Sequence, residues 1–254
     1  MKNAKPWIDL NCDVGEISSE LDNALLPFVS SCSVSCGVHA GDLALIESTI
    51  REAIRQGVSV GAHPSYPDRA NFGRVSMDIP TNVMAQHLHT QISTVKHIVE
   101  SAGGQLKHVK PHGALYHDVV RKDELAKALL DVVSAFDSEL AIFGQADSKL
   151  ADLCERKGIR FVHEVFGDRR YVDRHSLVPR SEPTAVIESL ADFERQLQHL
   201  LSGNIEDQNG QQHRITAQSI CLHSDSPHSV EFANRAQQLM RERPASGPQS
   251  LEPE

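Results

Sequence analysis

The sequence predicts a single α/β domain made of successive strand–helix units around a parallel sheet. Three observations point there: short apolar runs alternate with longer helical patterns, ionisable residues crowd the ends of those runs, and the length suits one such domain. The chain has 254 residues, 40% of them hydrophobic and 23% charged, enough to bury a core and keep a wet surface.

Seven runs have the length and composition of buried strands: Trp7 to Cys12, Ser31 to Cys36, Val58 to Ala62, Leu106 to Val109, Leu140 to Phe143, Arg160 to Val165 and Ser219 to Leu222. After the second run, Leu43, Ile46, Ile50 and Ile54 recur at helical spacing, with Asp42 placed to cap the helix and Gly57 to end it. A longer helix is expected from Thr81 to Ala102, stopped by Gly103 and Gly104. Further helices are expected at Asp123 to Ala135, Asp147 to Lys157, Ala191 to Leu201 and His228 to Glu242. His63 to Pro80 and Gly167 to Pro183 are too long to be mere connectors. The domain is expected to span residues 1–242, with a disordered tail at 243–254 rich in Pro, Ser, Gly and Glu.

The net charge of −9 and the lack of a Lys/Arg stripe argue against a nucleic-acid partner. No uninterrupted apolar run is long enough for a bilayer, and Met1 to Pro6 lead into Trp7 without a signal-like segment, so a cytoplasmic protein with no membrane partner is expected. The five cysteines, an odd number placed mostly in apolar runs, read as reduced core thiols; Cys32 and Cys36 have no second pair to complete a zinc site.

The chemistry is positional. In a parallel α/β fold the active site lies at the C-terminal ends of the strands. Run one ends in Asp9-Leu10-Asn11-Cys12-Asp13-Val14-Gly15-Glu16, and strand alternation puts Asp9, Asn11 and Asp13 on one side. Run two is followed by His39 and Asp42, run three by His63 and Arg69, with Arg74 further on, and run four by Lys110, His112 and Tyr116. Run six supplies Glu164, Asp168 and Arg169, and run seven His223 and Asp225. Pro111 keeps its neighbours extended, so Lys110 and His112 can project together. Asp9, Asp13, His39, His63, Lys110, His112, Glu164 and Asp168 are the catalytic candidates; Asn11, Asp42, Arg69, Arg74, Tyr116, Arg169, His223 and Asp225 are the substrate-binding ones. His39 and His63 with Asp9 or Asp13 would equally suit a divalent metal, whose identity is left open. His87, His89 and His97 fall on a solvated helix face and are assigned no function.

These segments resemble the LamB/YcsF family, the A subunits of bacterial ATP-dependent 5-oxoprolinase. The resemblance runs from Ile8 to about Leu239, and Asp9 to Glu16, His39 to Asp42, Gly61 to Pro64, Phe72 to Arg74 and Val109 to Tyr116 carry it. It implies a seven-stranded parallel β/α barrel of the glycoside hydrolase/deacetylase type, matching the seven runs. It also implies opening of 5-oxo-L-proline to L-glutamate with ATP as co-substrate, in a complex with subunits B and C. The sequence contains no Gly-x-x-x-x-Gly-Lys-Ser/Thr loop, so ATP is expected to be held with or by those partners. Ile17, Ser33, Val38, Val75, Gly167 and Ser224 depart from the family pattern, and the glycines replaced by Ile17 and Ser224 are expected to alter loop shape and substrate choice. A non-catalytic binding or scaffold subunit, and a metal-dependent carbohydrate hydrolase or deacetylase, are the alternative readings.

Overall fold

The computed structural model describes residues 8–137 and 139–242. Strand β1 (Asp9–Val14) leads through helix α1 (Ser19–Leu25) and a 3-10 turn at Leu26–Phe28 to β2 (Ser31–Ser35). There follow α2 (Leu43–Gln56), β3 (Ser59–His63), a 3-10 turn at Arg69–Asn71, α3 (Thr81–Ser101), β4 (His108–Val109), α4 (Gly113–Arg121) and α5 (Asp123–Phe136). Then come β5 (Ala141–Gln145), α6 (Lys149–Lys157) and β6 (Phe161–Phe166). A hairpin of β7 (Tyr171–Asp173) and β8 (Ser176–Leu177) precedes α7 (Leu190–Leu201). A second hairpin, β9 (Asn204–Glu206) and β10 (Gln212–Arg214), precedes β11 (Ser219–Leu222) and α8 (Ser229–Glu242).

Seven parallel strands close into a barrel in the order β1-β2-β3-β4-β5-β6-β11, with β11 pairing back onto β1. This is the seven-stranded parallel β/α barrel expected. Strand β1 runs from Asp9 to Val14 rather than ending at Cys12, so Asp13 belongs to the strand itself. Trp7 and the tail at 243–254 lie outside the described residues.

Alternation divides each strand between two environments. Leu10, Cys12 and Val14 of β1, Val34 of β2 and Val60 and Ala62 of β3 are buried in one apolar cluster with Ile46, Ile50, Met84, Leu88, Ile92 and Val95 of the helices. The opposite side is polar: Asn11, Asp13, Ser31, Ser33, Ser35, His63, His108, Lys110, Glu164 and Ser219 are all buried. Such an interior is tolerable only where its polar groups partner one another. Accordingly, Asn11 Nδ2 donates to Glu164 Oε1 at 3.0 Å and to Ser219 Oγ at 2.7 Å.

Helix α2 ends as its sequence signals dictate: Asp42 accepts from Leu45 N at 2.9 Å, and Gly57 closes the helix at φ 74°. Helix α4 was not expected. It starts at Gly113, in the polar segment that follows the fourth run, and raises Tyr116 against the barrel mouth. His87, His89 and His97 lie on half-buried or exposed positions of α3. All five cysteines are free and buried. Among the described residues, no helix is long and apolar enough to cross a membrane.

Candidate active site

Side chains from β1, β3, β4 and β6 meet below the mouth of the barrel. Lys110, 2% exposed, follows β4 and places Nζ 2.6 Å from Asp13 Oδ1 and 2.9 Å from Glu164 Oε1. It also donates to Asn11 Oδ1 at 3.0 Å and Cys221 Sγ at 3.1 Å. Burial works against the ammonium, but Asp13, Cys221 and Glu164 outweigh it and hold Lys110 well above the usual lysine range. Burial likewise pushes the Asp13 carboxyl up, yet His63 and Lys110 keep it well below the usual carboxylate range. The pair is therefore charged at neutral pH. Burial, followed by the negative charge of Glu164, pushes the Tyr116 phenol well up, leaving a neutral hydroxyl at the cavity wall.

Above this pair sits a group of three histidines. His63 Nδ1 is 2.7 Å from Lys110 O, and His63 Nε2 is 2.9 Å from His112 Nδ1 and 3.4 Å from Asp13 Oδ2. His112 Nε2 is 2.9 Å from Phe72 O, and His39 lies flat on His112 with ring centroids 3.9 Å apart. His39 Nε2 is 3.0 Å from Glu16 Oε1. Burial, reinforced by His63, lowers His39 to about 2 and His112 well below the usual imidazole range, so both rings are neutral. Burial and the Asp13 charge raise Glu16 to about 7.

The loop carrying Phe72 is strained. Phe72 adopts φ 55°, a left-handed conformation shared by just one other non-glycine residue among those described, Asp147. Gly73 follows at φ 64°, where an added Cβ would stand 2.1 Å from Ser65 Oγ and 3.0 Å from the His112 ring. This packing fixes the carbonyl that orients His112.

The third wall belongs to β6, β11 and the β7–β8 excursion. Asp168 accepts from His223 N at 2.8 Å and faces His223 Nδ1 at 3.0 Å. Burial opposes its ionisation, but His223 keeps Asp168 below the usual carboxylate range. Asp225 pairs with Arg74 and, at 2.9 Å, with Arg180. A cavity of about 320 Å3 lies between these walls, with Asp13, His63, Lys110, His112, Arg180 and His223 among its lining residues. Glu16 and Arg180 were not among the sequence candidates. Glu16 stands behind the Gly15 turn, at φ 72°, just past the strand, and Arg180 hides in the long excursion before Pro183.

Four candidates sit elsewhere or do other work. Asp9 faces the same side as Asn11 and Asp13 but at the opposite end of the strand, accepting from Ser30, Ser31 and Ser219 at 2.5, 2.7 and 2.5 Å. Alternation sets the side a residue faces and leaves its height unspecified, so a role for Asp9 at the mouth does not fit this position. Asp42 is an exposed helix cap. Arg69 donates to Gly37 O and Gly41 O, tying down the loop after β2. Arg169 donates to Ala185 O and Val178 O, anchoring the β7–β8 excursion while lining the cavity. Ile17 and Ser224 show no positive φ, so loss of glycine there leaves the backbone unstrained. At Gly167 a Cβ would stand 2.9 Å from Leu222 Cδ2, and Ser33 Oγ meets His108 Nε2 at 3.2 Å.

The sequence profile of the LamB/YcsF family matches residues 8–248. The chain belongs to the LamB/YcsF family. This member is similar to the lactam utilization protein from Thermus thermophilus, with 32% identity and a TM-score of 0.82 over 91% of this chain and 96% of that one. A candidate cellobiose-phosphate cleavage protein from Enterococcus faecalis shares the fold at 9% identity and a TM-score of 0.52, with 92% of each chain covered. Likeness at that identity concerns the fold alone.

Proposed function

We propose that this LamB/YcsF protein is the lactam-hydrolysing A subunit of an ATP-dependent 5-oxoprolinase, opening 5-oxo-L-proline to L-glutamate together with partner subunits B and C. The observation that carries the reading is the ionised Asp13–Lys110 pair, 2.6 Å apart, at the edge of a cavity sized for a small molecule. Membership of the family and the similarity to a lactam utilization protein support the choice of a lactam.

Amide hydrolysis needs a base to take a proton from water, a positive group where the carbonyl oxygen gains charge, and a proton for the departing nitrogen. Asp13, with His63 3.4 Å away, is placed to deprotonate the water. Lys110 supplies the fixed positive charge for the oxyanion, inside a water-poor site where such a charge acts strongly. Water adds to the lactam carbon, the carbon–nitrogen bond breaks, and the nitrogen leaves as the amine, carrying the proton that Asp13 took from the water. Arg74, Arg180 and His223 along the cavity wall suit the substrate carboxylate.

ATP enters through the partners. The sequence lacks a phosphate-loop motif, and an unactivated lactam is a poor electrophile, so B and C are assigned the activation and this chain the hydrolysis of the activated species. The test is glutamate release from 5-oxoproline and ATP by the chain alone and co-expressed with B and C. Release by the full assembly alone supports the reading; release by the isolated chain without ATP contradicts it.

A further inference from the structure

His63 and His112 differ from the other buried histidines because backbone carbonyls dictate their tautomers. A carbonyl oxygen can only accept, so His63 Nδ1, 2.7 Å from Lys110 O, and His112 Nε2, 2.9 Å from Phe72 O, each carry and donate a hydrogen. When each ring carries only that one hydrogen, its lone pair resides on His63 Nε2 or His112 Nδ1. Those two atoms face each other at 2.9 Å. Two lone pairs in such a contact repel unless a positive centre is shared between them.

A carboxylate oxygen completes the set. Glu16 Oε1 lies 3.6 Å from His112 Nδ1 and 3.9 Å from His63 Nε2, and the three atoms all fall within 4.8 Å of one another. The outer arrangement is that of metal-binding histidines, each donating its second ring N–H to a backbone carbonyl. His39 Nε2, 3.0 Å from Glu16 Oε1, holds the carboxylate in place. A second grouping of Asp13, Cys221 and His223 is geometrically possible, but the Lys110 ammonium already lies 2.6 Å from Asp13 Oδ1 and 3.1 Å from Cys221 Sγ. That grouping has its cation.

We propose that Glu16 Oε1, His63 Nε2 and His112 Nδ1 bind one divalent transition-metal ion. Two imidazoles and one carboxylate suit Zn2+ and its first-row neighbours rather than Mg2+ or Ca2+, which prefer oxygen ligands. Both histidines line the cavity, so the ion would activate water or polarise a carbonyl there. The proposal concerns the same cavity as the lactam reading but does not depend on the substrate.

The experiment is calorimetric titration of chelator-treated chain, without partners, with Zn2+, paralleled by the visible spectrum on addition of Co2+. One ion per chain and visible Co2+ bands are expected. His63→Ala and His112→Ala, shown to be folded by circular dichroism, abolish binding, and His39→Ala weakens it by roughly 10- to 100-fold, as loss of an outer partner does. Cys221→Ser leaves the affinity unchanged. Should the alanine variants not fold, nitrogen NMR of the wild-type histidines decides: Zn2+ shifts the rings of His63 and His112. A folded wild type that binds neither ion, binding that survives both histidine variants, loss of binding in Cys221→Ser, or unshifted His63 and His112 signals would overturn the proposal. Because the chain is tested alone, these outcomes are independent of whether the assembly releases glutamate.

Discussion

Lys110 Nζ and Asp13 Oδ1 lie 2.6 Å apart inside a barrel that otherwise excludes water from them, and Glu164 shares the same ammonium at 2.9 Å. Removing the lysine takes away the ammonium that two buried carboxylates share, which is far costlier than losing a surface pair. Lys110→Met is therefore expected to destabilise the fold by about 3–5 kcal/mol. Adding Asp13→Asn should recover part of that loss. Denaturant unfolding of the single and double variants checks both; additive losses would mean the two groups do not interact.

The pairing of Arg180 and Arg74 with Asp225 places two guanidinium groups at the cavity wall. A charged hydrogen bond to a bound carboxylate contributes about 1.5–3 kcal/mol. Arg180→Ala should thus raise KM for 5-oxoproline by roughly 10- to 100-fold while kcat stays within about threefold. A fall in kcat at unchanged KM would place Arg180 in the chemical step instead.

Gly73 and Gly57 separate backbone strain from local crowding. Both have left-handed backbone, at φ 64° and 74°, but a Cβ at Gly57 meets nothing within 4 Å while one at Gly73 runs into Ser65 and His112. Gly57→Ala should cost about 1 kcal/mol and leave turnover intact. Gly73→Ala should cost more and suppress turnover through a displaced Phe72 carbonyl. Thermal melts and glutamate assays on the two variants make the comparison.

His108 sits inside the barrel, stacked on Phe143 with ring centroids 4.0 Å apart, and burial with the Lys110 charge lowers it to about 3. A base whose pKa is depressed by folding stabilises the native state above its unfolded value, near 6.5, and that contribution is lost as pH falls toward about 3. Stability should decline across that window with a slope approaching about 1.4 kcal/mol per pH unit from this one group. His108→Gln should flatten the slope. Unfolding free energies measured between those pH limits test it.

The barrel strands were legible in sequence because their outward residues, such as Leu10, Cys12 and Val14, must be apolar to meet the helices. The mouth was legible for a related reason: His63, Lys110, Glu164 and His223 recur at strand ends, where the fold gathers them. Height along a strand was not. Asp9 and Asp13 share a face, but serines absorb Asp9 at the far end of the strand. Helix α4 was hidden by Gly113 at its first position, and the two hairpins by strands of two or three residues with polar composition. Glu16 was obscured because a turn at Gly15, rather than strand alternation, brings it back toward His39.

The most direct test of the catalytic claim is glutamate release from 5-oxoproline and ATP by assemblies carrying Asp13→Asn, with subunit association checked by co-purification. The account predicts an intact assembly whose turnover falls by roughly 100-fold or more, the scale of losing a general base. An intact assembly with unchanged turnover would contradict it and leave this chain a binding subunit.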